Sequence, residues 1–345
     1  MEEYNAEYQA ENDFVYKFQN GRYEVEHKVA ETPQLYKYYS NSKYSFDAIY
    51  NNYFYISHPF DFNDSMDSSE LLWDFRGLKE KDYRNFYGNH NFSDEQLTAY
   101  YENDKNDNFS KIRRSFWTLQ TNGVGILSLT NNPLNILMWA HYSGEYGFMV
   151  EYNKKGIIDD IKKNNIDTLK NYVLYPINYV DHLRQISIPG KYKTADVPFL
   201  YSFGVKQKAW EYEKEWRLIC FMNGLGVPFS KVSALKGNLK GKAERKLFYS
   251  KDAINKIILG KYFFSSNFVK SVESTSPGEP IIYNLIHSKE AQFVDYLFKN
   301  YRDKLCLCGE QENEGVISRK FFRVNMDKLG YNRFRVTYGQ EAFEY

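Results

Sequence analysis

The sequence predicts an α+β fold, with a core formed by a mixed or antiparallel sheet and a helical insertion at about residues 66–120. Short strand-like segments recur along the 345 residues, but helical patterns do not separate them with the regular βαβ alternation of a doubly wound sheet. The stretch 66–120 is polar with scattered aromatic residues and lacks strand-like alternation. It therefore favours two or three helices, separated near residues 88–91 and 103–108.

The composition is that of a folded chain. Charged residues make up 26% and aromatic residues 18%, so there is enough apolar surface to offset the entropy lost on ordering. The formal net charge of +1 removes the electrostatic argument for broad binding to nucleic acid or anionic membranes. Its 32 tyrosines accompany many Lys, Asn and Ile residues, as in proteins of AT-rich genomes, so only specific aromatic clusters invite a functional interpretation.

Length and pattern suggest three parts. We expect an N-terminal extension at 1–31, a main α+β domain at 32–265 that contains the helical insertion, and a C-terminal α/β addition at 266–345.

The cysteine content and the N-terminus predict a cytoplasmic protein. Three cysteines form no paired framework, and the acidic N-terminus has no apolar segment of a signal peptide. No apolar stretch approaches the roughly 18 residues that a membrane helix needs, so no membrane partner is expected. Cys306 and Cys308 are too close in sequence to be half of a common zinc ribbon, and no metal site is predicted there.

Strand-like segments at 35–39 and 53–57 enclose a helix at 46–52 for which Ser45 is a candidate N-cap. The Asn- and Asp-containing stretch 60–64 then predicts a loop.

A short buried strand is expected at 125–129, followed by a helix with Asn132 as its N-cap and Gly144 as its stop. This helix places Leu134, Leu137, Met138 and His141 on one face. The remaining predicted elements are strands at 147–152, 172–180, 215–222, 254–259 and 280–286, a helix at about 289–302, and a basic aromatic segment at 321–338.

Familiar catalytic motifs are missing from the sequence. It contains no P-loop, GxGxxG, HExxH or GxSxG pattern, which disfavours P-loop enzymes, Rossmann dehydrogenases and α/β-hydrolases.

The first of three clusters that could carry chemistry is 138–142, Met-Trp-Ala-His-Tyr. Because His141 falls on the apolar face of the predicted helix, we expect it to be buried or to line a cleft, where it could orient a substrate or shuttle protons. The alternative is a core histidine bonded to a backbone carbonyl.

The second cluster runs from Lys206 to Arg217 and leads into a strand. Alternation places Glu215 and Arg217 on one face, with Trp216 on the other. Partial desolvation would raise the pKa of Glu215 and suit it to catalysis. The alternative is an ion pair between Glu215 and Arg217 that closes the strand end.

The third cluster joins 36–38, Tyr-Lys-Tyr, with Ser57, Asn63 and Asp64. Aromatic residues around a cation could hold a phosphate or a nucleotide ring. The alternative is a strand with one solvated lysine and a turn built on Asn-Asp.

The order of these clusters resembles a bacterial family catalogued as domain of unknown function 2971, over about residues 34–262. Lys37 stands where that family usually has Arg, and Asp64-Ser65 where it often has Asp-Pro. The matching segments are Leu35–Tyr38, Ser57–Asp64, Met138–Tyr142, Gly147-Phe148, Glu151-Tyr152, Lys206–Arg217 and Ile254–Gly260.

The layout is also similar to ADP-ribosyltransferase-like proteins. That likeness implies an enzyme that uses or cleaves NAD, in a defence or toxin system. Glu215 would hold the ribose, Lys37 would contact the phosphates, and Tyr142 or Tyr38 would stack on nicotinamide. The predicted catalytic residues are Glu215, His141 and Tyr142, and the predicted NAD-binding residues are Tyr36, Lys37, Tyr38, Asn63, Asp64 and Trp139, without a metal.

Two other functions stay open. A nuclease or phosphodiesterase would use His141, Glu151 and either Glu213 or Glu215, around a metal. A non-catalytic sensor or partner-binding module would instead present the basic stretch 319–335 to a protein or nucleic acid. The favoured interpretation of that stretch is an edge hairpin with its Arg side chains facing solvent. Convergence of Tyr36, Asn63, His141 and Glu215 on one cleft would support a site for a small molecule or nucleotide.

Overall fold

The computed structural model describes residues 4–87, 92–192, 194–228, 243–265, 267–274 and 279–343. Within them, strands and helices build a mixed α+β fold. The strands are β1 (Glu7–Gln9), β2 (Val15–Gln19), β3 (Arg22–Glu26), β4 (Gln34–Tyr39), β5 (Tyr53–Tyr55), β6 (Trp73–Asp74), β7 (Val124–Thr130), β8 (Phe148–Asn153), β9 (Leu169–Pro176), β10 (Asn178–Val180), β11 (Ile186–Ser187), β12 (Val205–Gln207), β13 (Glu215–Met222), β14 (Lys246–Phe248), β15 (Ile254–Leu259), β16 (Val269–Glu273), β17 (Ile281–Leu285), β18 (Leu305–Asn313), β19 (Val316–Gly330) and β20 (Arg333–Phe343). The helices are α1 (Lys43–Tyr50), α2 (Glu80–Tyr87), α3 (Asp94–Asn106), α4 (Ser110–Gln120), α5 (Ile136–Met138), α6 (Lys154–Asn164), α7 (Asp196–Gly204) and α8 (Lys289–Tyr301).

The core is an eleven-stranded sheet with the order β16-β17-β20-β19-β18-β15-β8-β4-β7-β13-β9. Strand β18 runs parallel to β15, and the other neighbours in this sheet are antiparallel. The sheet is therefore mixed, as the sequence predicts.

The two larger apolar cores lie on opposite faces of the sheet. Phe46 of α1, Ile157 of α6 and Phe293 of α8 pack in one core. The other core includes the helical stretch 66–120, the aromatic residues of α7 and the small sheet β1-β2-β3. Strand β13 separates the two cores, because Trp216 and Leu218 belong to the first and Ile219 to the second. The predicted alternation along this strand is confirmed.

The predicted helical insertion contains α2, α3 and α4, together with the short strand β6. The predicted break near residues 88–91 lies outside the described residues. The break at 103–108 is confirmed, since α3 ends at Asn106 and α4 begins at Ser110.

The helix predicted to start at Asn132 begins later and is wound differently. Asn135 is the N-cap, because its side chain accepts hydrogen bonds from the backbone of Leu137 and Met138. A π-helical turn, Trp139–Ser143, follows and ends at Gly144 with a φ of 60°. The extra residue per turn rotates the side chains away from the face that a 3.6-residue period predicts. This face assignment is therefore wrong for His141, which is exposed. It is also wrong for Leu137, which is exposed and lies before the π-helical turn, in the helix that begins only at Ile136.

Strands on both sides of the predicted boundary at residue 265 share the central sheet, because β15 pairs with β18. The long hairpin β19-β20 lies between β18 and β17. The interpretation of the basic stretch 319–335 as an edge hairpin is therefore wrong.

A gap between two central strands positions the site. Strands β4 and β7 pair through Tyr36 and Thr130, and no further pair joins them in the described residues. Towards its other end β7 pairs instead with Ser57, through reciprocal hydrogen bonds between Ser57 and Ile126. The divergence of β4 and β7 opens a cleft beside Thr130.

Among the helices of the described residues, none has both the length and the apolar character required to cross a membrane.

Candidate functional site

The gap between β4 and β7 forms a cleft of about 330 Å³. This volume is at the lower end of the range for small-molecule sites. Residues from β4, β7, β12, β13, the segment after β5, the 3₁₀ helix Lys208–Glu213, α5 and the π-helical turn surround the cleft. They are Tyr36, Lys37, Tyr38, Ser57, Asp61, Phe62, Asn63, Asp67, Ser128, Leu129, Thr130, Met138, Tyr142, Lys206, Glu213, Glu215 and Arg217.

Arg217 is the centre of a buried ion-pair network at the floor of the cleft. Its Nη1 and Nη2 donate to the two carboxylate oxygens of Asp67 at 2.9 and 3.0 Å. Its Nε and Nη2 each donate to Glu215 at 2.9 Å, and Nη1 also donates to the carbonyl oxygen of Phe203 at 2.8 Å. Burial opposes ionisation of Asp67, but the charge and hydrogen bonds of Arg217 lower its pKa. The predicted Glu215–Arg217 ion pair is present, and it lies inside the cleft.

Lys206 of β12 links three carboxylates. Its Nζ lies 2.6 Å from Glu213, 3.4 Å from Glu215 and 3.5 Å from Asp67. Burial lowers its pKa, but the charges of Glu215 and Asp67 outweigh burial and raise the pKa above the ordinary value for lysine. The ammonium group therefore remains charged and neutralises the carboxylate cluster.

Glu213 faces the cleft beside Tyr142. It ends the short 3₁₀ helix Lys208–Glu213, and Lys214 has a φ of 43° before β13 begins at Glu215. This turn brings both carboxylates to Lys206. The phenol of Tyr142 donates to Glu213 Oε1 at 2.5 Å. Burial raises the pKa of Glu213, and the neighbouring charge of Glu215 raises it further, although Lys206 and the Tyr142 hydrogen bond act in the opposite direction. A carboxyl group with a raised pKa is a candidate for proton transfer.

Lys37 is a half-buried cation on the β4 side of the cleft. Burial lowers its pKa to about 8, although the charge of Glu215 acts to raise it. Within the described residues no carboxylate lies within 4 Å of its Nζ, and its nearest aromatic contact is the ring of Tyr39, 5.7 Å away. Unlike Lys206 and Arg217, this amine is left available to a ligand.

The two tyrosines that flank Lys37 are held by the sheet. Tyr36 is buried, and it lies opposite Thr130 on one side and Glu151 on the other. The phenol of Tyr38 donates to the carbonyl oxygen of Pro133 at 2.9 Å.

Six of the nine predicted site residues line this cleft, and three do not. Trp139 is buried, and its Nε1 donates to the carbonyl oxygen of Pro133 at 2.8 Å. His141 is exposed. Asp64 accepts a hydrogen bond from the backbone of Met66 at 2.9 Å, as in the alternative turn interpretation. The six residues that converge are Tyr36, Lys37, Tyr38, Asn63, Tyr142 and Glu215.

Sequence reasoning missed Asp67, which lies in a polar loop without strand or helix periodicity. Lys206 and Arg217 were part of a recognised cluster but had no assigned role in a ligand site. The available signal was the presence of an Arg and a Glu two residues apart on an apolar strand. A guanidinium buried there requires further hydrogen-bond acceptors, so another carboxylate was to be expected nearby. Nothing in the sequence indicated which distant carboxylate would supply them.

The residues named for a nuclease do not come together. Glu151 is buried on β8, does not line the cleft and lies 3.3 Å from Lys256. Across the described residues, no group of three or more His, Cys, Asp or Glu residues is arranged to hold a metal ion.

Comparison with known families bears on the helix-to-strand half of the site. Residues 138–218 match the model of a family described as Protein of unknown function (DUF2971). The match begins at Met138 and includes Tyr142, Glu213, Glu215 and Arg217. The resemblance predicted from sequence is confirmed over these residues, while the β4 and Ser57–Asp64 segments lie outside the match.

No curated protein and no solved structure matched the chain. The likeness to ADP-ribosyltransferases is therefore not confirmed by a structural neighbour.

Proposed function

We propose that the cleft binds NAD and cleaves the bond between its ribose and nicotinamide, with water or a second molecule as acceptor. The observation that carries the proposal is the convergence in one cleft of two carboxylates, a phenol and an amine that has no carboxylate partner among the described residues. The carboxylates Glu213 and Glu215 suit the cationic nicotinamide riboside, and Lys37 suits the phosphates.

The chemistry requires stabilisation of positive charge. Nicotinamide leaves as a neutral molecule, so the developing charge resides on the ribose, as an oxocarbenium-like transition state. A carboxylate held in place before the reaction stabilises that charge. Glu215 fills this role, because Arg217 orients it through two hydrogen bonds.

Glu213 supplies the second function. Burial raises its pKa, which makes it a better base than an ordinary carboxylate, and it can take the proton of the attacking water or acceptor hydroxyl. The phenol of Tyr142 orients Glu213 and provides an aromatic edge at the cleft. Tyr38, which also lines the cleft, is a further surface for the nicotinamide ring.

The ion-pair network favours this chemistry over a metal-dependent phosphodiesterase. Asp67, Glu213 and Glu215 already surround the ammonium group of Lys206. A divalent cation at that position would have to displace the buried side chain of Lys206. The positive charge of Arg217 would also repel it.

Loss of NAD arrests a cell, so an activity of this kind would suit a toxin or an anti-phage defence protein. That biological setting is part of the proposal.

The test uses chromatography to measure the release of nicotinamide from NAD in a reaction that contains EDTA. We expect the wild-type protein to release nicotinamide and Glu215→Gln to reduce the rate at least about a hundredfold. Glu211→Gln is the matched control, because Glu211 is a half-buried carboxylate on the 3₁₀ helix before β13, pairs with Lys214 and does not line the cleft.

Glu215 is buried in the network, so the thermal midpoint of each variant must accompany its rate. If Glu215→Gln fails to fold, Glu213→Gln serves in its place, because the amide can still accept a hydrogen bond from Tyr142. Release at the wild-type rate by a folded Glu215→Gln or Glu213→Gln variant would overturn the assignment. No release by the wild-type protein would overturn the activity itself.

A further inference from the structure

The structure assigns a second chemistry to the cleft: Lys37 is a nucleophilic amine that forms an imine with the aldehyde of a reducing sugar. For the source of that sugar, the inference rests on the proposed NAD cleavage. Hydrolysis would leave ADP-ribose, whose freed ribose is a hemiacetal in equilibrium with an open-chain aldehyde. The cleft would thus trap its own product.

The surroundings of Lys37 distinguish it from the two other cations of the cleft. Lys206 and Arg217 are each committed to carboxylates at distances between 2.6 and 3.5 Å. Lys37 has no such partner in the described residues, yet its side chain is half-buried and lines the same cavity. Burial increases the neutral, nucleophilic fraction of this amine, although the ammonium form still predominates below about pH 8.

The cleft also offers groups that bind a sugar. The hydroxyls of Ser57 and Ser128 and the amide of Asn63 line it together with Lys37. Hydroxyl and amide groups can both donate to and accept from sugar hydroxyls. The partly desolvated amine supports the same conclusion, because the pKa of Lys37 is lowered to about 8 and a substantial fraction is neutral near physiological pH.

The step balances without an oxidant or reductant. The amine nitrogen of Lys37 attacks the aldehyde carbon, a C–N bond forms, and the π electrons of C=O move to oxygen. A proton passes from nitrogen to that oxygen to give a carbinolamine. Loss of water then forms the C=N bond of the imine.

The experiment uses added ADP-ribose as the probe, with cyanoborohydride to reduce any imine to a stable secondary amine. Intact mass and peptide mapping then locate the adduct, which adds the mass of the sugar less one oxygen atom. We expect labelling at Lys37 to exceed labelling at the exposed Lys43 by roughly tenfold or more at neutral pH, because Lys37 lines the cleft beside the sugar-binding groups and burial lowers its pKa to about 8.

Two variants test whether the labelling is specific to Lys37. Lys37→Arg keeps a positive charge but cannot form this imine, so labelling of that peptide should vanish. Lys43→Arg should leave labelling at Lys37 unchanged. Equal labelling of Lys37 and surface lysines, or a dominant adduct elsewhere, would overturn the inference.

The probe separates this inference from the proposed function, because added ADP-ribose does not depend on NAD cleavage. Labelling at Lys37 without nicotinamide release would support the imine and contradict the NAD activity. Nicotinamide release without labelling would do the reverse.

Discussion

Arg217 and Asp67, separated by 150 residues in the chain, form a bidentate ion pair whose two hydrogen bonds measure 2.9 and 3.0 Å. The pair connects the segment after β5 to the beginning of strand β13. Because both side chains are almost completely buried, the pair holds one wall of the cleft against its floor.

Removal of one partner of this pair should be costly. We expect Asp67→Ala to lower the free energy of unfolding by about 3–5 kcal/mol, because it leaves part of the Arg217 guanidinium buried without an acceptor. Urea unfolding measures the change. The control is Asp74→Ala, which removes the partly exposed pair with Arg76 and a hydrogen bond to the Arg76 backbone, and should cost less. Equal losses in the two variants would show that the buried pair contributes no more than a surface one.

This pair also shows which contacts can be predicted from the sequence and which cannot. Alternation along β13 was sufficient to place Glu215 and Arg217 on one face, because strand periodicity is a local property. The choice of Asp67 as the second partner depends on how the loop crosses the sheet, and no local pattern encodes that. His141 was misplaced for a different reason, since the π-helical turn at Trp139–Ser143 changes the angular spacing that the prediction assumed.

The cleft itself was partly predictable. Two aromatic residues around Lys37 and a carboxylate at the start of β13 were recognisable as unusual in sequence, and the structure brings them together. The gap between β4 and β7 was not predictable, because it depends on the pairing of β7 with Ser57. The residues of β4 and β7 do not themselves indicate that pairing.

NAD binding should weaken at high pH as Lys37 loses its charge. Burial lowers its pKa to about 8, so the ammonium form is present below that pH and lost above it. If this charge contacts the phosphates, the KM for NAD should rise as pH increases through about 8, with little change in kcat. Lys37→Arg remains charged and should show a flat KM over the same interval. A KM that rises identically in both proteins would remove Lys37 from this role.

Tyr142 should tune the acidity of Glu213. The phenol donates to the carboxylate and so lowers the pKa of Glu213 relative to a site without that donor. We expect Tyr142→Phe to move the acidic limb of the rate profile to higher pH, because Glu213 must be deprotonated to act as a base. The exposed Tyr146 gives the control, Tyr146→Phe. An unshifted limb in Tyr142→Phe would mean that another group controls the acidic side.

His58 should make the fold sensitive to acid. It is fully buried, with Nε2 3.1 Å from the hydroxyl of Thr121, while Nδ1 accepts from the backbone of Phe60. Burial, helped by the charge of Arg245, lowers its pKa to about 3. The unfolded chain binds this proton near pH 6.5 and the folded chain does not, so stability falls as pH decreases from about 6.5 towards 3.

At about pH 5 the loss should amount to about 2 kcal/mol relative to neutral pH. Urea unfolding at a series of pH values measures it. His58→Gln should flatten that dependence, and His182→Gln, at an exposed histidine, should leave it unchanged. An unaltered slope in His58→Gln would assign the acid sensitivity to other groups.

The most direct test of the central claim is calorimetric titration of NAD into Glu215→Gln, in which slow turnover keeps the ligand intact. We predict saturable binding at one site per chain, and a marked loss of affinity when Lys37→Met is combined with Glu215→Gln. Absence of binding at millimolar NAD, or binding that is unaffected by Lys37→Met, would contradict the claim that this cleft is an NAD site.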